Sequence, residues 1–387
     1  MIIKQHSLPV IGAILGDMVG APYELMGHRI KKVDFPFFNE ESTFTDDTVL
    51  TLAIANWLIE RNTNLCSIVH SMGRNYINVG FGHSFKNWLR DNNPQPYNSY
   101  GNGSAMRVSA IGSLSNTITE AMNMAKESAI ITHNHPEGIK GAQAVAVAVF
   151  LAYNGFTQQN IKEYIENQFG YNLSRRIVNI RDYYGFDATC EGSVPEAIIA
   201  FLESTSVEEA IRLAVSLGGD ADTQASIAGA IAAAYFKEIP SIYIEKVLSK
   251  LSSSLLDILV HFNNYAISPS SLSDYTFIAK RDTKLRSYIR YTLALAVTDL
   301  TNVFIPKGTR MLFSWNRENR EGSNCRILTN KEQFFSMIET HLRREYTDVI
   351  NEHEEDLCNG ISVQLSKDDL DNFMVRETNN DDFLSLL

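Results

Sequence analysis

From residue 8 to about 265, the apolar residues of this chain repeat with a helical period. Val49 to Ile59, Ile139 to Tyr153, Pro195 to Leu202, Val207 to Leu217 and Ala221 to Phe236 carry apolar positions every three or four residues, or are apolar on every side. Helices that are apolar all round belong at the centre of a large bundle. The small residues Ala225, Ala228, Gly229, Ala232 and Ala233 let neighbouring backbones approach closely. Polar stretches rich in Gly, Asn and Pro, from Asp91 to Gly103 and from Thr132 to Gly141, read as loops. No alternating, strand-like run interrupts this part, so an all-α bundle is predicted for residues 1–267.

Beyond residue 267 the pattern changes. Ser268 to Ser273 (SPSSLS) reads as a linker. The spacing then predicts a helix from Thr283 to Asp299 and a strand within Gly308 to Trp315. Thr329 and Glu332 fit a capping box for a further helix, Lys331 to Tyr346. From Asn351 onward the chain is acidic, the composition of a solvated face. Residues 268–387 carry no recognisable chemistry and are predicted to form a smaller α+β accessory domain.

The chain has 387 residues and a formal net charge of −11, which argues against broad nucleic-acid binding and against attraction to an anionic membrane. Cys66, Cys190, Cys325 and Cys358 are widely separated, as expected for reduced thiols in a cytoplasmic protein. The apolar run Leu8 to Tyr23 contains Asp17 and ends in Pro22 and Glu24, a poor fit to a secretory signal. No apolar segment is long enough to span a bilayer.

Two acidic clusters are the strongest chemical signal. Thr45-Asp46-Asp47-Thr48 and Gly218-Gly219-Asp220-Ala221-Asp222-Thr223 each open an apolar helix. Capping accounts for Asp and Thr in a first turn, but four carboxylates at the ends of buried helices also call for a cation. Carboxylate and hydroxyl oxygens suit Mg²⁺ or Mn²⁺ rather than zinc. Gly12, Gly16 and Gly20 form a small stripe on another helix, and Glu24 follows at its end, either a carboxylate free to enter a cleft or a surface glutamate. The loop Asn98-Ser99-Tyr100-Gly101-Asn102-Gly103-Ser104 offers donors for a diphosphate before a helix expected from Ala105. His133 and His135 lie in a further loop, where ligand contact is a better reading for His133 than metal binding.

Taken in order, these stretches resemble the ADP-ribosylglycohydrolase family, of the dinitrogenase-reductase-activating glycohydrolase type. The resemblance rests on GAILGDMVGAPYE (12–24), FTDDT (44–48), YNSYGNGSAMRVSAIG (97–112), THNHPEGIKGAQA (132–144), CEGSVPEAI (190–198) and SLGGDADTQASIAGAIAAAYF (216–236). It implies an orthogonal multi-helix bundle with two Mg²⁺ ions, sometimes Mn²⁺, held by Thr45, Asp46, Asp47, Asp220, Asp222 and Thr223, with Asp222 bridging. It also implies a substrate loop of Ser99, Tyr100, Gly101, Asn102, Gly103 and Ser104 with His133, and Glu24 as a base beside the metals. The implied reaction is hydrolysis of ADP-ribose from an arginine- or serine-linked side chain or a related conjugate, with Glu24, Asp46 and Asp222 as the catalytic group. Two other readings compete: a two-metal phosphoesterase, and an immunity or binding protein that docks an ADP-ribosylating toxin through its C-terminal domain.

Overall fold

Among the described residues of the first 265 positions, every regular element is helical. The structure, a computed structural model, describes residues 3–24, 27–60, 64–115 and 117–265, and beyond them the backbone of seven strands. The helices are α1 (Leu8–Gly20), α2 (Asp46–Ile59), α3 (Leu65–Asn75), α4 (His83–Arg90) and α5 (Ser109–Leu114). They continue as α6 (Ile118–Ile130), α7 (Pro136–Tyr153), α8 (Gln158–Phe169), α9 (Ile177–Tyr183) and α10 (Cys190–Leu202). The last four are α11 (Val207–Val215), α12 (Ala221–Phe236), α13 (Ser241–Lys250) and α14 (Ser253–Asn264). Their starts are written in side chains: Thr117, Thr157, Thr189, Ser206 and Ser252 each accept a hydrogen bond from the backbone N–H three residues on.

Three boundaries differ from the sequence pattern. α7 starts at Pro136, inside the stretch read as a loop, because His135 caps it and Pro suits the first helical position. α10 begins at Cys190 rather than Pro195, since Thr189 supplies the cap and a proline inside the helix removes only one backbone donor. The helix expected from Ala105 begins only at Ser109, after a 3₁₀ turn over Asn102–Ser104.

The glycine stripe decides the centre of the bundle. Gly12, Gly16 and Gly20 are four residues apart and so share one face of α1. A Cβ placed at these positions would lie 2.3 Å from the carbonyl oxygen of Gly229, 2.0 Å from that of Ala225 and 2.4 Å from that of Ala221. The two helices therefore touch backbone to backbone and run antiparallel. This brings the C-terminal end of α1 to the N-terminal end of α12. Around the pair, Ile14, Leu15, Met18, Phe150, Ile227 and Ile231 are fully buried.

The chain divides into two compact units, Met1–Tyr265 and Ala266–Leu387. In the second, β1 (Tyr275–Ala279), β4 (Arg310–Ser314), β5 (Ser323–Ile327), β6 (Ile361–Leu365) and β7 (Met374–Arg376) form a sheet of order β6-β5-β4-β1-β7 with antiparallel neighbours. β2 (Thr283–Arg290) and β3 (Val297–Ile305) form a separate antiparallel pair. The helix expected over Thr283 to Asp299 is thus corrected to β-structure over 283–290 and from 297 onward, while residues 291–296 lie outside the described residues. The segments TKLRSYIR and VTDLTNVFI are rich in Thr, Val, Ile and aromatic residues, which favour the extended backbone over the helix. The strand expected within Gly308 to Trp315 is β4. The linker at 268–273 and the helix expected over 331–346 lie outside the described residues.

Among the described residues no helix is long and apolar enough to cross a membrane. A Cβ at Gly16 would meet the backbone of α12, not a side chain that can move aside. Gly16→Ala is expected to cost about 3 kcal/mol or more of unfolding free energy. Urea denaturation checks this, and a loss below about 1 kcal/mol is incompatible with the backbone contact.

Candidate active site

The first acidic turn is organised by a carboxylate buried beneath it. Asp17, on α1 and fully buried, accepts hydrogen bonds from Thr45 N at 2.9 Å, Thr45 Oγ1 at 2.8 Å and Thr48 N at 3.0 Å, and a short one from Thr48 Oγ1. Thr45 also caps α2, accepting from Asp47 N at 3.3 Å. Its hydroxyl lies 3.4 Å from Asp222 Oδ2, which ties the first turn to the second. Asp46 needs the glycine at position 80: φ there is +121°, and a Cβ would come within 2.8 Å of Asp46 Oδ1.

At the second turn, Asp220 occupies the N-cap of α12 but makes no capping bond. Its carboxylate accepts instead from Asn102 Nδ2 at 2.8 Å. Asp222 Oδ1 accepts from Thr223 N at 2.8 Å, and Thr223 Oγ1 lies 3.0 Å from both carboxylate oxygens of Asp47. Glu24 follows the short turn Ala21–Tyr23 at the end of α1, half-buried. Ligand oxygens of Glu24, Asp220 and Asp222 all lie within 4.8 Å of one another. Asp46 and Asp47 stand outside this tightest group. Of the six residues expected to hold metal, the structure places Asp220 and Asp222 in this group with Glu24, brings Thr45 to Asp222, pairs Thr223 with Asp47, and leaves Asp46 in the first turn beside Thr45.

The electrostatics of this assembly are one-sided. Burial pushes the Asp46 carboxyl up to about 8, with Asp17, Asp220 and Glu24 adding to it. Burial likewise raises Asp17 to about 6, against the pull of its four hydrogen bonds. Asp47 and Asp222 are raised well above the ordinary carboxylate range by burial and by neighbouring acids. Glu24 and Asp220 are raised first by burial, with Arg29 a weak opposing cation. None of the ion pairs among the described residues involves these acids. A donor set of carboxylate and hydroxyl oxygens without nitrogen or sulfur, and with no compensating base, fits a hard divalent ion.

The loop Asn98–Ser104 lies against the start of α7 and the start of α10. Tyr97 N and Ser99 N both donate to Thr132 O at 3.4 Å, Asn98 N donates to Asn134 Oδ1, and Asn102 N donates to Ala188 O. Its residues divide into two groups. Ser99, Gly101 and Gly103 are half-buried, and Tyr100 is 55% exposed with its ring edge-on to His135. Asn102 and Ser104 are buried, with their hydrogens committed inside the protein. Asn102 Nδ2 goes to Asp220 and Ser193, and Ser104 Oγ goes to Gly138 O at 2.7 Å. Of the two loop histidines, His135 caps α7 through Nδ1, while His133 is buried with Nδ1 against Thr132.

Residues 10–264 match the ADP-ribosylglycohydrolase family. This chain belongs to that family. Mouse ADP-ribosylhydrolase ARH3 is 26% identical over 306 residues, which covers 58% of this chain and 82% of the mouse protein. The ADP-ribosylarginine hydrolase Tri1 of Pseudomonas putida (strain GB-1) is 25% identical over 289 residues, covering 64% of this chain and 76% of its own. A solved ADP-ribosylglycohydrolase-related protein complex shares the fold, with a TM-score of 0.50 at 22% identity over 67% of this chain and 99% of its own. The chain is therefore an enzyme, an ADP-ribosylglycohydrolase.

Two residues that shape this glycohydrolase site escape a reading of the sequence. Asp17 registers there only as a break in an apolar run, and Gly80 not at all. The signal for Asp17 is its place on the glycine-striped helix, one residue after Gly16, where a carboxylate has no route to solvent.

The raised carboxyls set a pH dependence. Each has a folded-state pKa above its unfolded value, so protonation favours the folded state. This contribution is complete below about pH 4 and is lost as pH rises through about 6 for Asp17 and about 8 for Asp46. In chelator the thermal midpoint is expected to fall between these values, and added Mg²⁺ is expected to raise it most at the alkaline end. Differential scanning calorimetry across that range checks this, and Mg²⁺ stabilisation that is equal at every pH contradicts it.

Proposed function

We propose that this enzyme releases ADP-ribose from a modified protein side chain, arginine- or serine-linked, or from a related ADP-ribose conjugate. Two Mg²⁺ ions would be held by Thr45, Asp46, Asp47, Asp220, Asp222 and Thr223, with Mn²⁺ suited to the same oxygens. The observation that carries this reading is the joining of a buried, uncompensated carboxylate assembly to a glycine-rich loop through the Asn102–Asp220 hydrogen bond. The P. putida relative's description as an ADP-ribosylarginine hydrolase supports the choice of substrate. The free thiols Cys66 and Cys190 fit a cytoplasmic setting.

Cleavage at the ribose anomeric carbon passes through an oxocarbenium-like state as the leaving group departs and water adds. Bound divalent ions would supply Lewis acidity and orientation for the ribose hydroxyls and the water. Glu24 takes the proton from the attacking water, the departing nitrogen or oxygen takes up a proton in turn, and the Glu24 carboxylate is restored. Burial and the nearby Asp220 and Asp17 carboxylates raise its basicity above that of an ordinary glutamate, the direction that suits a general base. Ser99, Tyr100, Gly101, Gly103 and His133 hold the ribose and diphosphate. Asn102 and Ser104 act from beneath, keeping the loop against Asp220 and against the start of α7. Asp17 orients Thr45 and Thr48 and through them the first acidic turn.

Release of free ADP-ribose from arginine- and serine-linked ADP-ribosyl peptides, with Mg²⁺ and with chelator, tests this directly. Mg²⁺-dependent release from either peptide is expected, and Asp46→Asn and Asp222→Asn are expected to abolish it. Chelator-resistant release sinks the metal mechanism, and no release from either peptide sinks the substrate assignment. Asp17→Asn is expected to keep the fold and to weaken Mg²⁺ binding about 10- to 100-fold, the range for groups that orient ligands. Titration calorimetry with Mg²⁺ reads this loss, and unchanged affinity removes Asp17 from the site.

A further inference from the structure

Arg107 is fully buried, and no carboxylate pairs with it among the described residues. Its Nε donates to Ser128 Oγ at 3.3 Å, and its Nη2 donates to Ser128 O at 2.5 Å and to Thr132 Oγ1 at 3.2 Å. Nη1 has no partner among the described residues. A guanidinium only donates hydrogen bonds, so Thr132 Oγ1 must accept from Arg107. The hydroxyl then has its own hydrogen to give. Its second partner among the described residues is His133 Nδ1, at 2.7 Å.

Donation of that hydrogen to Nδ1, its other partner among the described residues, would leave Nδ1 an acceptor and place the ring hydrogen of neutral His133 on Nε2. Burial, and next the charge of Arg107, push the His133 pKa well below its ordinary value, which keeps the ring neutral. The Nε2 edge faces the substrate loop. A Cβ at Gly103 would come 3.3 Å from Nε2, and one at Gly101 would come 3.7 Å from it. Among the described residues nothing accepts from Nε2. The ring thus presents a committed nitrogen inward and an unspent N–H toward two glycines.

We propose that Arg107 and Thr132 are positioning residues that fix His133 as a neutral Nε2–H donor to a ligand oxygen beside Gly101 and Gly103. Under the functional reading above, on which this rests, that oxygen belongs to the diphosphate of ADP-ribose. The arrangement assigns His133 to binding and not to proton transfer, because Nδ1 is occupied and the imidazolium is disfavoured. It also gives the uncompensated Arg107 a purpose. A buried positive charge close behind the loop favours an anion in front of it, without touching that anion.

The test uses the full-length protein labelled with ¹⁵N. Long-range ¹H–¹⁵N correlation reads the His133 tautomer directly, with its signals assigned by their absence in His133→Gln. The wild-type spectrum is expected to show a protonated Nε2 and an unprotonated Nδ1 at neutral pH. An Nδ1-protonated ring or an imidazolium overturns the proposal. Thr132→Ser keeps the hydroxyl and is expected to keep the tautomer and the affinity for ADP-ribose in Mg²⁺. Thr132→Val is expected to lose the single tautomer and to bind ADP-ribose at least about tenfold more weakly. Thr132→Val with unchanged tautomer and affinity overturns the proposal. Wild-type protein with the expected tautomer that fails to bind ADP-ribose overturns the functional reading and the ligand assignment together, and leaves the Arg107–Thr132 relay standing on its own measurement.

Discussion

The site depends on the contact of two helix backbones. Three glycines on α1 remove the side chains that would hold it away from α12, and the antiparallel approach then decides which ends meet. The end of α1 brings Asp17 and Glu24, and the start of α12 brings Asp220, Asp222 and Thr223. α2 joins as the third element because Asp17 receives the backbone and hydroxyl hydrogens of Thr45 and Thr48. Both α2 and α12 point their N-termini, the positive ends of their dipoles, toward the acids. That partial charge eases the gathering of carboxylates but is too small to neutralise them, as their raised pKa values show.

Capping and the gathering of carboxylates are not exclusive, and in the structure both occur within one turn. Thr45 caps α2 with the same oxygen that donates to Asp17 and approaches Asp222. Asp220, by contrast, stands at a cap position and does not cap. It is held by Asn102, a residue of the glycine-rich loop 98–104. The loop and the acidic assembly are therefore parts of one hydrogen-bonded network, in which each buried polar group is costly unless satisfied.

Much of this was legible in the sequence, and the failures have physical causes. Helical periodicity, the glycine stripe and the two acidic turns are local patterns, and each corresponds to a feature of the fold. Asp17 was opaque because its partners lie 28 and 31 positions further along the chain. Gly80 was opaque because a positive φ leaves no mark on its neighbours. For the loop 98–104, composition identified a donor-rich segment. It did not separate Asn102 and Ser104, which spend their hydrogens inward, from Ser99 and Tyr100. Residues 283–305 illustrate the opposite error: apolar spacing suggested one helix, whereas the β-branched content of the same residues agrees with the two strands observed.

The α1–α12 contact also has a history in time. Its partners, from Gly12 with Gly229 to Gly20 with Ala221, are roughly 200 residues apart in the chain, a separation of the kind that slows folding. As the chain leaves the ribosome, the first acidic turn is complete long before the second has been synthesised. Until α12 arrives, Asp17 lies on a helix whose glycine face has nothing to rest against. The acidic assembly is thus closed only once residues roughly 200 positions apart have met.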